Sequence, residues 1–125
     1  MPIAFSVDAD HRVRTAVFRD RVTDTELVDA YRALLASGYD PALDDLVDLT
    51  LVTDLDVSGA AVRRLADLFE DGPAAPPTRL AIVAPRDHHF GLARMYQSLR
   101  AEAPEETRIF RARADALAWL GLPPD

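Results

Sequence analysis

The sequence predicts an α/β domain: a mixed, mostly parallel sheet with an N-terminal β-hairpin and helices on its faces. Three observations carry that reading. Two stretches of two-residue apolar alternation open the chain, and after residue 23 helix-like and strand-like stretches alternate, the order that makes parallel crossovers. The run RLAIVAP at residues 79–85 is apolar on both faces, as expected of a central parallel strand covered on each side. With 125 residues, 49% of them apolar and 28% charged, the chain has the size and composition of a single globular domain, residues 1–125.

The elements follow in order. IAFSV alternates Ile3, Phe5 and Val7 as a strand does, and DADH at 8–11 is turn chemistry. RVRTAVFR places Val13, Thr15 and Val17 on one face and Ala16 and Phe18 on the other, completing a hairpin. Thr23 and Glu26 have the spacing of a capping box, and Leu27, Tyr31, Leu34 and Leu35 make a helical stripe that Ser37-Gly38 stops. LVDLT at 46–50 is a short strand, and Val62, Leu65, Ala66 and Phe69 then mark a helix over 58–69. DGPAAPP at 71–77 breaks the chain before the central strand at 79–85. A third helix spans 87–102, with Leu92, Met95, Tyr96 and Leu99 on one face. TRIF at 107–110 is the last strand, and DALAWL at 115–120 is a short closing helix.

Composition narrows the function. There is no cysteine, so disulfides, thiolate nucleophiles and cysteine-bound zinc are out. All 14 basic residues are arginine, which removes Schiff-base and P-loop lysine chemistry. The net charge of −7 repels phosphate backbones and anionic membrane surfaces, so nucleic acid is not an expected partner. No apolar run reaches the ~20 residues of a membrane span. The first ten residues have neither the basic region nor the apolar run of a signal peptide, and the expected location is the cytoplasm.

Ligands of open α/β sheets gather at the carboxyl ends of the strands. Those ends carry Thr50, Thr53, Asp54, Asp56 and Ser58 after the third strand, Arg86, Asp87, His88 and His89 after the fourth, and Arg111 and Arg113 after the fifth. Asp54, Asp56, His88 and His89 have metal-ligand chemistry, but adjacent helical histidines diverge by about 100°, so no metal is expected and the pair reads as exposed beside a helix cap. Ser58, His88 and an aspartate could be drawn as a triad, yet no G-x-S-x-G turn supports it and no G-x-G-x-x-G supports a dinucleotide. Arg86, Arg111 and Arg113 are expected to reach a small anion or the aspartates of the Ser58 loop, because guanidinium forks suit such groups. Phe90 falls outside the stripe of its helix, either packed on a neighbouring loop or serving as a lid or partner contact.

The segment LVDLTLVTDLDVSGA resembles the signature of anti-sigma-factor-antagonist (STAS) domains, in which a strand ends in Asp and Asp-Ser-Ser-Gly-Leu opens the next helix. Asp48, Asp56, Ser58 and Gly59 stand at the matching places, with Val57 and Ala60 as departures. The serine phosphorylated in that family falls on Ser58. The rest of the chain, through LAIVAP, FGLARMY and IFRARADALAWL, is similar to the SpoIIAA-like family of small bacterial proteins, a divergent relative. The resemblance implies a STAS-related sheet, akin also to CRAL-TRIO lipid-binding domains, and leaves the activity open.

The expected function is that of a non-catalytic regulatory domain that meets a protein partner through the helix starting near Ser58, under phosphorylation control. The alternative is a binding module for a small apolar or amphipathic ligand, with Phe90, Met95 and Tyr96 at its entrance. No cofactor is expected, and self-association as a homodimer is.

Overall fold

The computed structural model describes residues 2–125. The elements are β1 (Ile3–Asp8), β2 (Val13–Thr23), α1 (Asp24–Ala36), β3 (Asp44–Asp56), α2 (Gly59–Glu70), β4 (Thr78–Val83), α3 (Asp87–Leu99), β5 (Glu105–Phe110) and α4 (Arg113–Leu120). The sheet runs β1-β2-β3-β4-β5 in chain order, with β1 antiparallel to β2 and every later pair parallel. The mixed sheet with its opening hairpin is therefore as the sequence predicts.

Crossovers of one hand that always step the same way leave their helices on one face. The main core accordingly joins α1, α2 and α3 to one face of the sheet through Leu27, Tyr31, Val62, Ala66, Ala93 and Tyr96. The other face is covered by α4, where Ala116 and Leu117 pack on Val13, Leu46, Ala81 and Val83. Arg113 fastens that helix by an ion pair at 2.6 Å to Asp48, itself buried in β3.

β3 departs most from expectation. The predicted strand over 46–50 is the middle of a strand of 13 residues. Its pairing with β2 shifts register twice, between Val17 and Arg19 and between Asp20 and Arg21, each time with one extra residue on β3. These are β-bulges. The first is held by Asp48, whose Oδ1 accepts from the Thr50 amide at 2.9 Å and from its hydroxyl at 2.5 Å. The second sits opposite Asp20, which adopts a left-handed φ of 58°. The inward residues are consequently Val47, Leu49, Val52, Leu55 and Val57, spaced irregularly, and the alternation by which a strand is recognised is lost after Leu49.

Two further corrections concern α3. It ends at Leu99 rather than at 102, and its buried face is His89, Ala93 and Tyr96, while Leu99 is 37% exposed. Leu92 and Met95 flank that face and are half-buried.

Asp20 generates a test of the second bulge. A non-glycine residue in the left-handed region costs about 1–2 kcal/mol, least for Asp and Asn. Asp20→Gly should keep the urea unfolding midpoint, and Asp20→Val should lower stability by about 1 kcal/mol or more. Equal midpoints for all three would show that the backbone there is free to relax.

Candidate functional site

β3 outruns β4. The last residue of β3 paired with β4 is Asp48, facing Val83, while β3 continues alongside β2 to Asp56. Space beside residues 49–56 is taken by the first turn of α3. Arg86 Nη1 donates to the Thr53 carbonyl at 3.1 Å, and His88 Nε2 donates to the Leu55 carbonyl at 3.1 Å. A carbonyl only accepts, so the His88 tautomer carries its proton on Nε2. These residues thus stitch a helix to the free edge of a strand.

Ser58 is exposed and is the N-cap of α2, its Oγ accepting from the Ala61 amide at 3.2 Å. Its own proton goes to Asp24: Oγ donates to Oδ2 and the Ser58 amide to Oδ1, both at 2.7 Å. Asp24 is the first residue of α1, behind the Thr23–Glu26 capping box. One carboxylate therefore clamps the N-termini of α1 and α2, where helix dipoles favour negative charge. These hydrogen bonds, led by that from the Ser58 hydroxyl, hold the Asp24 pKa below the usual carboxylate value.

The remaining predicted residues separate. Asp54 and Asp56 are held by Arg21, at 3.4 and 2.6 Å, a partner on β2 that the sequence pattern does not single out. Of the two partners expected for Arg86, Arg111 and Arg113, a small anion or these aspartates, the aspartates are corrected: Arg86 meets the Thr53 carbonyl and none of the three pairs with Asp54 or Asp56. Arg111 pairs with Asp87 at 2.7 Å, donates to the Pro85 carbonyl at 3.1 Å and lies 4.1 Å over the Phe90 ring. Arg113 serves Asp48 and Asp125 on the opposite face. Gly59 marks close contact of α2 with α3: a Cβ there would stand 3.3 Å from Met95 Cε.

Ser58 and His88 form no serine–histidine pair, since the Ser58 hydroxyl donates to the Asp24 carboxylate and His88 meets a backbone carbonyl. Among the described residues no group of three or more His, Asp or Glu could hold a metal ion. No described helix is long and apolar enough to cross a membrane.

What the fold does build is a cavity of about 310 Å³ between the sheet and its helices. Phe18, Leu27, Val47, Val62, Leu65 and Leu92 contribute to its apolar wall. Of the three residues expected at a ligand entrance, Tyr96 lines it, whereas Phe90 and Met95 stand outside its wall. His89 also lines it, 3% exposed. The expectation of an exposed histidine pair is corrected: the side chains diverge, His88 outward and His89 inward. Burial first, then Arg86 and His88, hold the His89 pKa below its ordinary value of 6.5, so its ring is neutral near pH 7.

The far end of the cavity is charged. Arg100, 6% exposed, donates to Glu105 through Nε and Nη2 at 3.0 and 2.9 Å and to Glu70 through Nη1 at 3.0 Å. Arg14, 3% exposed, grips Asp45 in a two-point pair at 2.8 and 3.1 Å and stacks 4.1 Å over Tyr39. Burial outweighs Arg14 and pushes the Asp45 carboxyl up to about 6. Burial likewise raises Tyr31 and Tyr96, keeping both phenols neutral.

This layout defines an α/β domain of SpoIIAA-like fold. A solved structure shares it: an uncharacterised protein of the DUF3478 family with a SpoIIAA-like fold, from Shewanella loihica PV-4, superposes with a TM-score of 0.57 at 20% identity, over 94% of this chain and 91% of that one. No family model and no curated protein matches the chain.

Removing the Ser58 cap should cost about 1 kcal/mol, the usual worth of such a hydroxyl. Asp24, with its folded pKa lowered, contributes stability above the usual carboxylate range and loses it as pH falls through the folded value. The stability gap between wild type and Ser58→Ala should therefore narrow on acidification, as urea titrations at pH 7 and pH 3 would reveal. A gap unchanged with pH would disconnect Ser58 from Asp24.

Proposed function

We propose that the domain is a non-catalytic binding module whose ligand, a small apolar or amphipathic molecule, occupies the cavity between the sheet, α2 and α3. The observation that carries this reading is the cavity itself, about 310 Å³ in a chain of 125 residues. Native interiors rarely leave voids larger than a water molecule. Sealed and empty, this one would cost about 7 kcal/mol at ~24 cal/mol per Å³, comparable with the whole stability of a small domain. The cavity is partly open, which makes that figure an upper bound, but it remains in the size range of ligand pockets.

Binding should follow from filling tests. Purified protein should take up the apolar dye Nile red with a rise in fluorescence. Ala93→Phe, which adds a ring to the cavity wall, should weaken uptake tenfold or more while holding or raising the unfolding midpoint. Unimpaired uptake by that variant would move the dye, and the reading, to another surface.

A second reading keeps Ser58 as a control point for a protein partner or for the ligand, and the Asp24 clamp favours it. Leu27 and Tyr31 of α1 and Val62 and Phe69 of α2 line the cavity, so the clamp ties together two of its walls. A phosphate on Ser58 would bring nearly two negative charges against Asp24 and open the clamp. Ser58→Asp should then weaken Nile red uptake more than Ser58→Ala does, although a carboxylate at an N-cap is itself a good cap. Identical uptake by the two variants would leave Ser58 as a cap alone. Self-association is part of the proposal as well, supported by Val7 and Leu51, which stand 59% and 52% exposed.

A further inference from the structure

The cavity has chemically distinct ends. His89 lies in the first turn of α3 and Arg100 just past its last, 11 residues on, or about 16 Å apart along the axis at ~1.5 Å per residue. At the Arg100 end the charged wall residues are Asp45, Glu70, Glu102 and Glu105, four carboxylates against one guanidinium. That guanidinium is occupied, its Nε, Nη1 and Nη2 all donating to Glu105 and Glu70. Arg14 close by is likewise occupied by Asp45 and by the Asp40 carbonyl. No cation in the wall is left to receive an anionic head group, and the surplus charge is negative.

The His89 end differs. Its Nδ1 is buried and has no hydrogen-bond partner in the protein, although the ring is 3% exposed and lines the cavity. An unmatched buried polar atom is costly, so a partner is expected to come from whatever fills the space. A neutral imidazole presents a donor on one nitrogen and an acceptor on the other, and a hydroxyl, which both donates and accepts, meets Nδ1 in either tautomer.

Resting on the cavity reading above, we infer that the ligand is an uncharged, mainly hydrocarbon molecule carrying a hydroxyl that seats on His89, and that the cavity discriminates against carboxylates of the same length. The apolar wall supplies affinity and the imidazole fixes which way round the molecule lies. An amphiphile with an anionic head would find no unpaired guanidinium at the Arg100 end and would meet the surplus of carboxylates there.

The test uses Nile red as reporter and two competitors of equal chain length, 1-decanol and decanoate, at pH 8, where decanoate is ionised. Decanol should displace the dye from the wild-type protein at a concentration at least about tenfold lower than decanoate requires. In His89→Phe the dye should still bind while decanol weakens roughly fivefold. His89→Asn, which keeps a polar group near the place of Nδ1, should recover part of that loss. Equal competition by the two amphiphiles in wild type, which depends on no variant, would overturn the inference and leave the cavity reading intact. The inference is equally overturned if His89→Phe binds dye and decanol as wild type does, meaning that water alone serves Nδ1. If neither dye nor decanol binds wild type, the cavity reading fails and this inference with it.

Discussion

The length of β3 relative to β4 is the constraint on which the molecule turns. A parallel strand that stops level with its neighbour would send the chain straight into the next helix. Here β3 stays paired with β2 for its whole length and leaves its other edge bare beyond Asp48. Unmatched backbone groups are costly once buried, and α3 answers by starting where that edge is free. Arg86 and His88 supply donors to Thr53 and Leu55, and the same first turn carries His89 inward. The latch on the outside and the polar atom on the inside therefore share one cause. The two bulges belong to it as well, because they turn Val52 and Leu55 back toward the core after the register has slipped.

Charge is distributed with the same economy. The buried guanidiniums near one end of the cavity are enclosed, Arg14 by the Asp45 carboxylate and the Asp40 carbonyl and Arg100 by the carboxylates of Glu105 and Glu70. Pairs of this kind cost desolvation and give geometry in return. Arg14 fixes the end of β2 against β3, and Arg100 joins the C-terminal ends of α2 and α3 to the start of β5. The interior is thus braced by ions where the helices end and left apolar where they run.

Much of the fold was legible in local pattern. Thr23–Glu26 announces its helix because caps act within a few residues, and the 79–85 run announces a strand covered on both sides. The strand predicted over 46–50 stops short of Asp56 because two inserted residues erase the alternation. The inward face of α3 was misassigned since His89 and Ala93 carry less hydrophobicity than Leu92 and Leu99, although the spacing of His89, Ala93 and Tyr96 was available as a signal. Nothing local could join Asp24 to Ser58, 34 residues apart, or Arg21 to Asp56. A cavity is legible least of all, being the space that side chains fail to fill.

The order of the sheet also bears on how the chain reaches this state. Each strand lies beside the strand before it in sequence, so the sheet can grow by accretion from one end, each new βα unit docking on a surface already present. Loop-closure entropy is then spent in small steps, the condition under which mixed α/β domains fold without long searches. α4 is the exception: it crosses to the bare face, and Arg113 joins Asp48 over 65 residues of chain. During synthesis that face of β2, β3 and β4 stays uncovered until residues 113–120 emerge, and until then the nascent domain offers an apolar sheet face to wrong partners.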